Sequence, residues 1–156
     1  MTSRAVIADA TRKAVPNDPV QELQVRNLIA QLAHAANTTE GELDTRYLPL
    51  FTGDAVWEAR AGAIYPTQSA VKLQGRAKLR EAAVQRRREG AQGPGTGQML
   101  VVMTSSVRVE GNEARAESCY IRVESDLAIS AAGRYDDTFR CEGGVWLLAH
   151  RVVLPR

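Results

Sequence analysis

Tyr135, Asp137 and Phe139 recur at two-residue spacing in GRYDDTFRC, and Trp146, Leu148 and His150 recur likewise in VWLLAHRVV. In extended chain, a period of two places each trio on one face of its strand. Phenol, carboxylate and imidazole among large apolar groups are too polar for a plain core and too apolar for a solvent face. The mixture predicts the wall of a cavity. An imidazole titrates near neutrality, so His150 is the best general acid or base in the chain; a buried, hydrogen-bonded packing role is the other reading. Tyr135 offers an apolar ring and a hydroxyl donor, either to a pocket or to the core. Asp136 and Asp137 are adjacent and point to opposite faces, which excludes a paired-carboxylate site of the glycosidase kind. Asp137 can accept from Arg151 or a backbone amide on a neighbouring strand; alternatively, Asp136 or Asp137 serves His150 in proton transfer.

The elements that position these residues are legible from period and punctuation. Asp18-Pro19 is a helix start, with Asp18 as cap, Pro19 in the first turn and Gln21 where a capping-box partner would sit. Val25, Leu28, Ile29, Leu32, Ala35 and Ala36 then form one apolar stripe, and the helix ends near Thr38. A second short helix is expected from about Glu42 to Leu50, with Pro49 disturbing its last turn. Phe51 to Asp54 reads as a turn, Ala55 to Arg60 and Ala70 to Leu73 as strands, and Arg76 to about Glu89 as the third helix. GAQGPGTG, residues 90–97, is a mobile connection and a flap beside the cavity mouth. A long strand from Gln98 to Val109 follows, then three apolar-rich segments divided by turn signals at 110–112 and 141–144. This order predicts an α+β fold, in which a curved antiparallel sheet wraps a long helix to make a cone open at one end. Residues 1–17 read as a flexible N-terminal arm and residues 18–156 as a single domain.

Composition narrows the function classes. A net charge of +2 gives no basis for nucleic-acid binding, and no apolar run reaches the ~20 residues of a membrane span. Arg86, Arg87 and Arg88 read as a solvated helix end favoured by the helix dipole, the alternative being a phosphate-binding patch. Cys119 and Cys141 have no framework or metal spacing and read as buried free thiols; with no secretory signal in MTSRAVIADATRKAVPND, a cytoplasmic location is expected. His34 and His150 form no zinc set, and the glycine-rich run lacks the Lys-Ser/Thr ending of a phosphate loop. No metal and no cofactor are expected.

LAHAAN at 32–37, LFTGDAVWE at 50–58, GRAKLR at 75–80, VRVEGNEARAES at 107–118, GRYDDTF at 133–139 and VWLLAHRVV at 145–153 follow one another in a familiar order. The chain resembles SnoaL-like proteins of the nuclear transport factor 2-like superfamily. That group also holds scytalone dehydratase, ketosteroid isomerase, polyketide cyclases and the β subunits of ring-hydroxylating dioxygenases. The resemblance implies a cone with three helices on the concave side of a mostly antiparallel sheet. It also implies a cofactor-independent lyase or isomerase acting on a polyketide-, steroid- or terpenoid-like molecule. The alternatives are a non-catalytic protein that binds a small ligand or a partner and, ranked lower, a dioxygenase accessory subunit.

Catalytic relatives commonly carry Asp at the end of the first helix and His on the first long strand after the third. This chain has Asn37 and Leu100 at those places, with Thr104 at a commonly polar pocket position. Asparagine is no general base near neutral pH, although its amide can orient a substrate. The escapes are a shifted alignment that lets Glu40 or Asp44 serve, or His150 paired with Asp136 or Asp137.

His150 is therefore the expected acid or base, with Tyr135 and Asn37 orienting the substrate oxygen. Trp57 and Trp146 read as core or rim aromatics. The expected apolar pocket touches Asn37, Trp57, Leu100, Thr104, Tyr135 and His150, beside the small flank of Ala30 and Ala33, with its mouth near residues 90–97. A homodimer is expected through the outer sheet face, using Val101, Met103 and Cys119 or Tyr120.

Overall fold

The computed structural model describes residues 18–64 and 67–156, apart from the side chains at 104 and 105. The arm expected over residues 1–17 and the side chain of Thr104 lie outside the described residues. Helix α1 spans Pro19–Ala35, and Asp18 caps it by accepting from the Val20 amide at 2.9 Å. Three short helical turns follow, Glu40–Glu42, Leu43–Tyr47 and Leu48–Leu50, in place of one regular helix. Pro49 lies in the last of them, as its missing amide donor requires. Helix α2 spans Arg76–Arg88.

The strands are β1 Phe51–Ala59, β2 Val71–Gln74, β3 Met99–Glu110, β4 Glu113–Val123, β5 Ile129–Glu142 and β6 Val145–Pro155. They form one curved sheet, ordered β2-β1-β6-β5-β4-β3, in which the β1–β6 pair is parallel and the others antiparallel. This is the expected α+β cone. One local expectation fails: residues 51–54 belong to β1. Phe51 lies opposite Leu148 and Val56 opposite His150, so the Gly53-Asp54 turn chemistry produces a bulge inside a strand.

The core lies between α1 and the concave face. Val25, Leu28, Ile29, Leu32 and Ala35 pack with Phe51, Ala114, Ala116, Phe139, Trp146 and Leu148. Phe139 and Leu148 are fully buried, each contributing about 1.5–3 kcal/mol by leaving water. Strand β4 turns its smallest residues, Ala114, Ala116 and Ser118, towards the helix, which leaves room for α1 to approach.

The expected solvated arginine run holds at exposed Arg88 and is corrected at Arg86 and Arg87. Arg87 donates from Nε to the Thr38 carbonyl at 2.7 Å and from Nη2 to the Ala36 carbonyl at 3.1 Å. It thereby satisfies carbonyls left over at the end of α1. Burial pulls its pKa down, so this contact works against the guanidinium's own solvation. Arg88 pairs with Glu40 at 2.7 Å, and Arg86 turns inward. The cysteine expectation also fails in part, because Cys119 is exposed on the convex face while Cys141 is half-buried.

Candidate functional site: a cavity in the concave face

Strand β6 changes phase within one residue. Phe139 pairs with Leu148, but Thr138 pairs with His150, so Ala149 has no partner on β5. Such a bulge sends every later side chain to the opposite face. Trp146 and Leu148 are buried below the slip, and Arg151 and Val153 are buried above it. His150 therefore leaves the face expected for it. Its side chain is 41% exposed on the convex side, with Nε2 2.6 Å from Glu58 Oε1 of β1.

The concave face above the core encloses a cavity of about 300 Å³. Asn37, Trp57, Leu100 and Tyr135 line it as expected, and its mouth includes Ala91 and Gln92 of the glycine-rich segment. His150 is absent from the wall, and Trp146 sits in the main core. The helix flank is also corrected. Ala30 is exposed, and α1 and its end contribute Leu32, Ala36 and Asn37 to the lining.

At the deep end, Tyr135 is flanked by neighbours from the adjacent strands. Tyr120 of β4 stacks on its ring at 4.5 Å between centroids, only 10° from parallel. Arg151 of β6 places its guanidinium 4.0 Å from the same ring's centroid. Asp137, two residues from Tyr135, accepts from Arg151 Nε at 2.8 Å and Nη2 at 2.7 Å. Both partners are buried, with side-chain exposures of 9% for Arg151 and 0% for Asp137. The Asp137–Arg151 pairing anticipated from sequence thus forms the floor beneath Tyr135.

Burial opposes the Arg151 charge, and the Asp137 carboxylate more than compensates, so the guanidinium's pKa is raised. Burial likewise pushes the Tyr135 phenol above its ordinary range, with Arg151 partly opposing the shift. Tyr135 therefore stays protonated and can donate a hydrogen bond. Its hydroxyl and that of Tyr47, also on the wall, have no hydrogen-bond partner among the described residues.

Tyr120, read from sequence as an interface residue, points inward and donates its hydroxyl to the Ala63 carbonyl at 2.7 Å. Gly133 makes room for it. A Cβ there would stand 2.9 Å from the Tyr120 ring and 2.4 Å from the Leu154 carbonyl oxygen. Strand period could have placed Tyr120, since it continues the inward series Ala114, Ala116, Ser118.

At the mouth, Arg86, Glu89, Gln98 and Arg122 join Asn37. Asn37 Nδ2 lies 3.5 Å from the Gln98 carbonyl, between the end of α1 and the start of β3. As a cavity residue Arg86 was missed, although it falls three and seven residues after the buried Ala83 and Leu79, on the inward face of α2. Among the described residues of the wall, Glu89 is the one carboxylate, and it stands at this mouth, away from Tyr135. The cavity can therefore surround an apolar body and donate hydrogen bonds to an oxygen at its deep end.

The family described as a SnoaL-like domain matches residues 20–152. Comparison with curated proteins gives no match. Among solved structures, the chain is similar to a Nostoc punctiforme protein of unknown function with a cystatin-like fold. The two share 18% identity and a TM-score of 0.69, covering 87% of this chain and 91% of that one. A nuclear transport factor 2-like protein from Novosphingobium aromaticivorans shares 19% identity and a TM-score of 0.65, covering 87% and 82%. A third, assigned as the β subunit of an aromatic-ring-hydroxylating dioxygenase from Novosphingobium aromaticivorans, shares 18% identity and a TM-score of 0.61, covering 86% and 88%. At such identities these structures testify to the fold alone. The family match spans most of the chain, and the protein belongs to the SnoaL-like domain family.

Proposed function

We propose that the protein is a small-molecule binding member of its family, taking a flat, mostly apolar ligand with an acceptor oxygen at the deep end. The observation that carries this reading is the phase slip at Ala149, which leaves the cavity without its expected imidazole. The lyase or isomerase expected from the resemblance moves a proton, which calls for a group in the cavity that titrates near the working pH. Of the groups at the deep end, Tyr135 holds its proton and Arg151 is neutralised by Asp137. The lining suits recognition: Trp57, Leu100 and Val153 supply apolar surface, and the hydroxyls of Tyr47 and Tyr135 supply donors. No helix among the described residues is long and apolar enough to cross a membrane.

The convex face supports a homodimer as a second part of the reading. Val101 lies opposite Ile121, and Met103 opposite Cys119, which makes an apolar strip along β3 and β4. Tyr120 drops out of that surface because it faces the cavity. Sedimentation at micromolar concentration should report a dimer.

Binding is tested with N-phenyl-1-naphthylamine, a neutral flat probe whose fluorescence rises in apolar surroundings. Saturable one-to-one binding is expected, lost in Leu100→Trp, where an indole fills the cavity, and retained in His150→Gln. A wild-type protein that does not take up the probe, or a Leu100→Trp variant that binds it equally well, would overturn the reading.

A further inference from the structure

We propose that the cavity is built for a ligand carrying an anionic group, a carboxylate or similar oxyanion, which Arg86 receives at the mouth. The inference rests on the binding reading above and adds the ligand's charge and the end at which it sits.

Arg86 is half-buried and projects from the inward face of α2, where Leu79 and Ala83 pack into the core. Its guanidinium carbon lies 5.9 Å from the centre of the Trp57 ring, itself part of the cavity wall. Gln92 Oε1 accepts from Arg86 Nε at 3.0 Å, which fixes the fork while using one of its donors. The terminal nitrogens have no partner among the described residues.

The other two guanidiniums in the wall are differently placed. Arg151 has Asp137 at 2.7 Å, and Arg122 has Glu124 at 3.3 Å with its Nε also donating to Ser130. Glu89, a carboxylate in the wall, caps the end of α2 one turn after Arg86 and accepts from Gln85 Nε2 at 2.8 Å. No salt bridge joins it to Arg86 among the described residues. Arg86 is thus oriented by an amide and an aromatic ring, beside a cavity, without a counter-ion of its own. A planar fork held in this way matches a two-oxygen anion. The aromatic face beneath it suits a flat apolar body leading inward to the hydroxyls of Tyr47 and Tyr135.

Two probes differing by one anionic group test this. 1-Anilinonaphthalene-8-sulfonate carries a sulfonate on the scaffold of N-phenyl-1-naphthylamine. The readout is the ratio of their two dissociation constants, which cancels effects on the shared scaffold. Arg86→Met should shift that ratio about tenfold against the sulfonate probe, as expected for loss of hydrogen bonds to a charged group. Gln92→Ala, which frees the fork without removing its charge, should shift it the same way by about threefold. A ratio unchanged in Arg86→Met, with both probes still excluded by Leu100→Trp, overturns the proposal and leaves the binding reading standing. Failure of the wild type to bind either probe, or insensitivity of both to Leu100→Trp, overturns the binding reading and this proposal with it. Circular dichroism of each variant establishes that it is folded before the ratio is read.

Discussion

His150 and Arg151 are neighbours in sequence and occupy opposite worlds. Arg151 lies on the concave face, buried, doubly hydrogen-bonded to Asp137 and packed against Tyr135. His150 lies on the convex face, substantially exposed, paired with Glu58. Both make a short contact to a carboxylate, so a count of ion pairs would rank them together. Their surroundings separate them. Removing one member of a buried pair strands a charge in a low-dielectric interior, whereas a pair partly open to solvent, as His150 and Glu58 are at 41% and 19% exposure, exchanges protein contacts for water at smaller cost.

The largest expected effect breaks the comparison on its buried side. Asp137→Ala should destabilise the fold by about 3–5 kcal/mol, because Arg151 keeps its charge without a partner. Urea unfolding should show a correspondingly lower midpoint, and a midpoint equal to wild type would mean that the guanidinium escapes to water.

Gly133→Ala comes next, through packing rather than charge. Its Cβ would stand 2.4 Å from the Leu154 carbonyl oxygen, which is backbone, and against the Tyr120 ring. A cost of about 1–3 kcal/mol is expected, with weakened uptake of the neutral probe as the Tyr120–Tyr135 stack is displaced. Thermal unfolding and probe titration report the two parts separately.

The exposed side should yield far less. Glu58→Ala and His150→Gln should each change stability by no more than about 1 kcal/mol. A loss from either as large as that from Asp137→Ala would erase the distinction between the faces.

The smallest effect comes from a carboxylate on neither face and gives the comparison its solvent-exposed baseline. The Thr39 backbone amide, then Arg46 and the Thr39 hydroxyl, lower the Glu42 carboxyl from an ordinary 4.5 to about 2. A group depressed in the folded state contributes fully above its unfolded pKa and loses that contribution as pH falls through the folded one. Stability should therefore decline slightly more steeply between about pH 4.5 and about pH 2 in wild type than in Glu42→Gln. Parallel acid titrations of the two proteins would exclude this contribution.

The elements themselves were legible because each is dictated locally. Asp18-Pro19 starts α1, the three-and-four apolar stripe orients it, and the glycine turns at 110–112 and 141–144 separate the long strands. Period two on β5 correctly grouped Tyr135, Asp137 and Phe139, since that inward series runs unbroken through them. The same reasoning failed on β6. A bulge is a relation between two strands, and nothing in LLAHRVV marks Ala149 as the residue left unpaired. Inward placement of Arg86 likewise depends on Trp57 and Gln92 converging on it from other elements.

By itself, then, the sequence determined the cone, its helical filling and a part of the cavity wall, Asn37, Trp57, Leu100 and Tyr135, because helix stripe, turn chemistry and strand alternation are properties of short segments. Only the tertiary structure decided which charged groups face the cavity. That choice depends on the register between β5 and β6 and on how α2 seats against the sheet, and a slip of one residue there exchanges an imidazole for a buried guanidinium.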